Sequence, residues 1–538
     1  MQYISGNYVD LWDDQIFEAR VILFENRIFR IEKLGNEDPN LPYILPGFVD
    51  AHVHIESSLL APSEFAKLAV VHGTVATISD PHEIANVLGT KGVYYMLENG
   101  QTVPFKFFFG APSCVPATTF ETAGAEVTVD DIDQMLADPR IPYLAEMMNF
   151  PGVINEDPMV MAKIKVAQKH RKPIDGHAPG LKGEQAEKYF SAGISTDHEC
   201  FTLEEAEGKL KLGVKILIRE GSAARNFEAL IPLAKEHSDQ MMFCSDDKHP
   251  DSLLLGHINA LVKRAVAFGI NPFAAIRMAT IQPIQHYSLP VGMLREGDWA
   301  DVILVDNLIE FNVIDTYIHG QKVAENGKSL IQGPPPQTIN HFKTHAITEK
   351  EIQIPVQGSK VRVIGALNGQ IVTERKWVDA NKVGQEDILK IVVYNRYHAD
   401  PPAVAYIHGF GLQQGAIASS VAHDSHNIVA VGCDDKSIVD AINLVVKEKG
   451  GLSAVSKDKK LILPLPIAGL MSAGDGYEVA QEYIKIDQFV RESLGSVLDS
   501  PFMTLSFMAL LVIPSLKLSD KGLFDGDRFE FTSVGFDE

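Results

Sequence analysis

The sequence predicts an α/β protein: a (β/α)8 TIM-type barrel, a small β-sandwich built from segments on either side of it, and a C-terminal α/β domain. Three observations lead there. Short apolar runs each close on a histidine or an acid, helix-compatible segments separate those runs, and Gly333-Pro334-Pro335-Pro336 marks a stiff junction after them.

The opening segment, Gln2 to Ile31, reads as strands and turns: Ala19 to Phe24, a turn at Glu25-Asn26, then Arg27 to Ile31. Trp299 to Val305 and Thr316 to Val323 read the same way. Neither half buries an adequate core alone, so residues 1–46 and 298–333 are expected to pair into one sandwich.

Residues 47–297 are the expected barrel. Its first strand, in Pro46-Gly47-Phe48-Val49-Asp50-Ala51-His52-Val53-His54, ends in an H-x-H pair. Side chains alternate along a strand, so two histidines separated by one residue project together and can grip one cation. Taken alone, such a pair is more often an ordinary pair of loop or core histidines. Tyr143 to Glu146 closes on a carboxylate, Pro173 to His177 and Gly193 to His198 close on imidazoles, and Met241 to Asp246 closes on an acid. Pro158 to Arg171, Glu184 to Ala192, Phe227 to His237 and Asp251 to Phe268 suit helices. Polar residues at the C-terminal ends of barrel strands meet at one face, so His52, His54, Glu146, His177, His198 and Asp246 are expected to converge there as a metal site.

Consecutive prolines fix φ and remove donors, which places a boundary at residues 333–336. In residues 340–538, Val361 to Ile364, Ile371 to Thr373, Ile391 to Tyr394, Val404 to His408 and Ile428 to Gly432 suit strands. Ser437 to Glu448 and Gly476 to Leu494 suit helices.

At 538 residues the chain exceeds one ordinary domain of roughly 150 residues, although a barrel alone takes about 250. A hydrophobic content of 46% with 22% charged residues is that of a soluble globular protein. The longest apolar candidate, Leu505 to Pro514, falls short of the roughly 20 residues a membrane span needs. Met1 to Asp14 lacks a basic start followed by an apolar stretch, so no secretory leader, a cytoplasmic location and no membrane partner are expected. Cys114, Cys200, Cys244 and Cys433 form no C-x-x-C pair, and a net charge of -22 repels phosphate backbones. A small molecule is therefore the expected partner, and nucleic acid is not. Imidazole and carboxylate ligands without thiolate suit Zn²⁺, Mn²⁺ or Fe²⁺.

The order H-x-H, strand-four acid, His, His, Asp resembles the amidohydrolase superfamily, and the local wording resembles its bacterial adenine deaminase family. Asp50 to Ser58, Ser79 to Val87, Ala145 to Val153, Asp175 to Gly180 and Ser245 to Asp251 carry the likeness, and Ala418 to Asn427 and Pro501 to Phe507 extend it nearly end to end. Two departures stand out: His257 follows Gly256 in Leu254-Leu255-Gly256-His257, where an acid before the glycine is expected, and Asn86 to Asn99 offers no obvious ligand.

The resemblance implies hydrolytic deamination of free adenine to hypoxanthine and ammonia, a purine-salvage reaction, by a metal-bound hydroxide in a binuclear centre. Mn²⁺ or Fe²⁺ is favoured and Zn²⁺ remains open. His52 and His54 would hold one ion with Asp246, His177 and His198 the other, and Glu146 would bridge without the carboxylated lysine of dihydroorotase-like relatives. Asp246 would move the proton, as base and then acid, with its neighbour Asp247, which points to the other face if the strand persists, second in line for that task. Substrate contacts are expected among His82, Glu83, Arg219, Glu220 and Asp247, with structural ion pairs or helix caps as the competing reading for the strand-end pairs. His423, Asp424 and His426 form a possible cap over the barrel mouth or a second site, and otherwise a polar turn. A homo-oligomer is expected. Three other readings stand beside adenine deamination: action on another amino-substituted heterocycle such as an N6-substituted adenine, a cyclic amide hydrolase, and a catalytically silent binding protein.

Overall fold

The computed structural model describes residues 2–354 and 357–537. Four strands open the chain: β1 (Gln2–Asp10), β2 (Gln15–Phe24), β3 (Arg27–Lys33) and β4 (Tyr43–Pro46). Eight short strands follow, alternating with helices: β5 (Phe48–Val53), β6 (Thr74–Ser79), β7 (Lys106–Phe109), β8 (Leu144–Met147), β9 (Ile174–Gly176), β10 (Thr196–Asp197), β11 (Lys215–Arg219) and β12 (Met241–Cys244). Nearly every residue in these strands is buried, because a parallel strand inside a ring of helices has no wet face.

The eight close into a barrel. Parallel ladders join β5 to β6 and β6 to β7, a bridge from Ala111 to Leu144 carries the ring to β8, and β8 pairs with β9. The Ser195 amide donates to the Ile174 carbonyl, linking β9 to β10, and ladders run on through β11 to β12. The ring shuts where the Asp246 amide donates to the His52 carbonyl at 2.9 Å.

Helix ends are set locally. Asp157 caps Pro158–His170 by accepting from the amides of Met159 and Val160, with proline at the first helical position, where no amide is needed. Thr128 and Asp131 form a capping box on Val129–Ala137. An expected helix is divided. The run from Asp251 to Phe268 is two helices, Pro250–Leu255 and Ile258–Phe268, parted where the His257 ring turns inward to Asp50 (2.8 Å) and Thr74 (2.7 Å). The stretch around Asn86 to Asn99 is also helical, His82–Leu88 and Thr90–Gly100.

After the barrel come β13 (Val302–Val305), β14 (Val313–Ile318), β15 (Gln321–Glu325) and β16 (Lys328–Ser329). They join the opening strands in one eight-stranded sheet, ordered β16-β15-β14-β13-β4-β1-β2-β3, around a core that includes Ile4, Val21, Ile44 and Val302. Residues 330–348, which include the proline run, hold no helix or strand.

The C-terminal part is a nine-stranded mixed sheet: β17 (Lys360–Ala366), β18 (Thr373–Asp379), β19 (Leu389–Tyr394), β20 (Ala403–His408), β21 (Ala416–Ser419), β22 (Ile428–Gly432), β23 (Gly451–Val455) and β24 (Lys460–Pro464), with a late strand at Gly535–Phe536 beside β17. Helix Asp435–Glu448 packs on one face through Ile438, Ile442 and Val445. The other face is continuous with the barrel core, so this part seats on the barrel through buried apolar surface. Among the described residues no helix is long and apolar enough to cross a membrane.

Candidate active site

His52 lies on β5 and His54 just beyond its end, and their Nε2 atoms stand 3.2 Å apart. Glu146, on β8, reaches the middle of the group. Its Oε2 is 2.9 Å from His177 Nδ1 and 3.2 Å from His198 Nε2, and its Oε1 is 3.5 Å from His54 Nε2. Asp246 Oδ1 is 3.2 Å from His54 Nε2 and 3.6 Å from His52 Nε2. The rings of His52 and His198 stack at 4.1 Å. The structure thus brings His52, His54, Glu146, His177, His198 and Asp246 into one pocket at the barrel rim. His177 is its most open member, with 14% of its side chain exposed.

The donor set suits divalent cations. His54/His52/Asp246 and His52/Glu146/His198 each offer ligand atoms within 4.8 Å of one another, all buried. Burial, with the charge of His198, holds His52 well below the usual imidazole range, and its Nε2 points into the group. Burial opposes ionisation of both acids and is overridden at each. His177 and His198 hold Glu146 well below the usual carboxylate range, and Arg219 and His54 do the same for Asp246. Against burial, neighbouring carboxylates in turn hold His54, His177 and His198 above the usual imidazole range, and imidazoles and ionised carboxylates converging in one dry pocket are hard-to-borderline cation ligands.

A second ring supports the first. Arg219, at the end of β11, donates to Asp246 Oδ2 at 2.7 Å and grips Glu199 with both guanidinium nitrogens. His82 Nδ1 lies 3.2 Å from Asp80 and 3.5 Å from Glu146. Glu83 is held by His423 Nδ1 and His426 Nε2, which reach across from the C-terminal part. Phe507, Leu510, Val512 and Ile513 complete the cavity wall from that side.

Residues 43–323 match the amidohydrolase family, and residues 368–530 match the adenine deaminase C-terminal domain. A chain from Sulfurovum sp. (strain NBC37-1) named adenine deaminase is 55% identical over 98% of both chains. Its counterpart from Salinibacter ruber is 52% identical over 98% of both, and that from Methanosarcina mazei 50% identical over the whole of both. The chain belongs to the adenine deaminase family.

The placement of two candidate residues is corrected. Glu220 does not line the cavity: it follows Arg219 directly, points to the other side of the strand end, and pairs with Arg264 at 2.9 Å and Arg225 at 3.9 Å. Asp247, expected to face away from Asp246, lines the cavity and accepts from Ser57 Oγ at 2.5 Å. The reason is local. β12 stops at Cys244 and Asp246 takes a positive φ of 53°, so strand alternation no longer separates the two acids.

Arg219, His82 and Glu83 do line the cavity, but Arg219 and Glu83 are engaged by protein partners. The His423-Asp424-Ser425-His426 segment is buried against the adenine deaminase barrel rather than forming an exposed turn. Glu199 was not among the expected site residues. Its signal in the sequence is an acid directly after His198, with an arginine at the end of the next strand.

Proposed function

We propose that this chain hydrolyses free adenine to hypoxanthine and ammonia, with His52, His54 and Asp246 holding one divalent ion, His177 and His198 a second, and Glu146 between them. The observation that carries this reading is the convergence of four imidazoles, three of them buried, and two ionised acids on one point of a barrel rim in a chain related end to end to adenine deaminases. Mn²⁺ or Fe²⁺ is the favoured occupant, with Zn²⁺ compatible with the same ligands. Such ions, when bound, lower the pKa of water and so supply a nucleophile near neutral pH.

The protein residues then have distinct tasks. Asp246, kept ionised by Arg219, accepts a proton from the attacking water as its oxygen bonds to C6 of the base. It returns that proton to the exocyclic nitrogen, so the C6–N6 bond breaks with ammonia, not amide ion, as leaving group. Glu199 acts at one remove by fixing the Arg219 guanidinium. Phe507, Leu510, Val512 and Ile513 exclude water from the base. His82 and Asp247 also present polar groups to the cavity.

We read residues 47–297 as the catalytic barrel, residues 1–46 and 298–333 as one accompanying β domain whose strands share a single sheet rather than the two of a sandwich, and residues 340–538 as the domain that closes the site.

The test is ammonia release by protein loaded separately with Mn²⁺, Fe²⁺ and Zn²⁺, offered adenine, N6-methyladenine, cytosine and cyclic amides. Adenine is expected to be the best substrate. Faster turnover of any other compound, or no ammonia from adenine under any loading, removes the reading.

A further inference from the structure

Most carboxylates around the cavity are occupied by protein partners. Glu83 is held by two imidazoles, Glu199 by Arg219, Asp246 by Arg219 and His54, Glu146 by His177 and His198, and Asp247 by Ser57. Asp424 differs. Its side chain is 4% exposed and lines the cavity, and its Oδ2 has no hydrogen-bond partner. Its Oδ1 lies 3.6 Å from His82 Nε2, beyond hydrogen-bond length. Among the described residues it is the one cavity carboxylate with a buried, unpartnered oxygen. Such an oxygen is costly unless a ligand supplies a donor.

The donor follows from the shape of the base. Free adenine offers N–H groups at two places, the exocyclic amine on C6 and the five-membered ring. C6 must lie at Glu146 and Asp246 for the reaction proposed above, on which this inference rests. The His82 ring sits between the two ends of the cavity, its Nδ1 3.5 Å from Glu146 and its Nε2 3.6 Å from Asp424. Asp424 is therefore about one imidazole away from the reacting end, which is where the second ring of a purine falls. We propose that Asp424 is a specificity-determining residue that accepts the ring N–H of the free base, so that the C-terminal part distinguishes adenine from its N9-substituted forms. The neighbouring wall agrees: Phe507 stacks on His423 at 4.9 Å, and with Leu510, Val512 and Ile513 it offers a sugar hydroxyl nothing to pair with.

The test uses full-length Mn²⁺-loaded enzyme, wild type and Asp424→Asn, with adenine and 9-methyladenine as substrates. Loss of one buried bond to a charged acceptor predicts a KM for adenine raised about 10- to 100-fold, with kcat within about threefold. The wild-type preference for adenine over 9-methyladenine in kcat/KM should shrink about tenfold or more, because the neutral amide is a weaker acceptor than the carboxylate and its NH2 group competes for the same place. An unchanged KM or an unchanged preference overturns the proposal. A variant that fails to fold leaves the wild type to decide: hypoxanthine should inhibit it at least about tenfold more tightly than 9-methylhypoxanthine, and equal inhibition overturns the proposal. A third metal ion per chain, lost in Asp424→Asn, would assign the carboxylate to a cation and likewise overturn it. Wild type that releases no ammonia from adenine removes this inference together with the activity, whereas active wild type beside an indifferent Asp424→Asn removes this inference alone.

Discussion

Tyr483 Oη and His249 Nδ1 share a hydrogen bond of 2.6 Å, and it crosses from the C-terminal helix Gly476–Glu492 to the loop that carries Asp246 and Asp247. His249 is held at its other end, where its amide donates to Ser222 Oγ at 2.8 Å. Burial pushes the His249 imidazole down to about 3, with the His423 charge adding to the effect, so the ring is neutral and one of its nitrogens depends on Tyr483. The C-terminal part therefore braces the loop that carries Asp246 and Asp247 as well as roofing the cavity.

Tyr483→Phe keeps the ring packing and removes only that bond. Leaving a buried imidazole nitrogen unpaired should cost about 1–3 kcal/mol of stability, read from the urea midpoint. Turnover of adenine should fall several-fold as the Asp246 loop loosens. A variant with wild-type stability and kcat would show that the brace carries no weight.

Asp246→Asn tests proton transfer apart from metal binding. Positioned acid–base groups contribute about 10²–10⁴ in rate, so kcat should fall by that order while two metal ions per chain are retained by elemental analysis. Near wild-type turnover would remove Asp246 from this role.

Arg219 bridges two buried acids, so its loss strands both. Arg219→Met should destabilise the fold by about 3–5 kcal/mol, the range for breaking a buried ion pair. Because Arg219 is the leading influence holding Asp246 down against burial, its removal raises the Asp246 pKa, and the acid limb of the kcat/KM profile should move to higher pH. A limb that stays in place would show that the arginine does not tune this acid.

Much of this site was legible from residue order alone, because strand-end polar residues in a barrel meet at one rim whatever lies between them. The exceptions have physical causes. Arg219 and Glu220 are neighbours at one strand end and were taken together, although adjacent residues face opposite ways and only Arg219 enters the cavity. Asp246 and Asp247 were separated by the same rule, which lapses where the strand stops and φ turns positive. Glu199 was missed because an isolated acid in a loop carries no periodicity, and only its pairing with Arg219 gives it meaning. In the C-terminal part β21 (AIAS) and β23 (GLSAV) escaped notice, being short and rich in small residues with weak strand propensity. The covering wall from Phe507 to Ile513 was noticed as an apolar run too short for a membrane, and nothing in its composition says that it faces a ligand.

That wall rests on a buried lysine, which gives the protein a pH dependence separate from catalysis. Lys517 is fully buried, and its Nζ donates to the carbonyls of Ile371 (2.6 Å) and Phe507 (2.8 Å), both residues of the cavity lining. Burial pushes its pKa down from 10.5 to about 7. Between those two values the unfolded chain holds a proton that the folded chain lacks, so the lysine's contribution to stability grows as pH rises through the window. It is smallest below about 7, where both states are protonated. Urea midpoints taken from pH 7 to 9 should therefore include a rising component of up to about 1.4 kcal/mol per pH unit, the slope for one proton. Lys517→Met should abolish that component. It should also leave two buried carbonyls without a donor, at about 1–3 kcal/mol each, a loss that shows at the alkaline end of the range, where the cost of burying the lysine itself is smallest. Parallel pH slopes for wild type and Lys517→Met would mean that the lysine keeps its ordinary pKa in the folded chain.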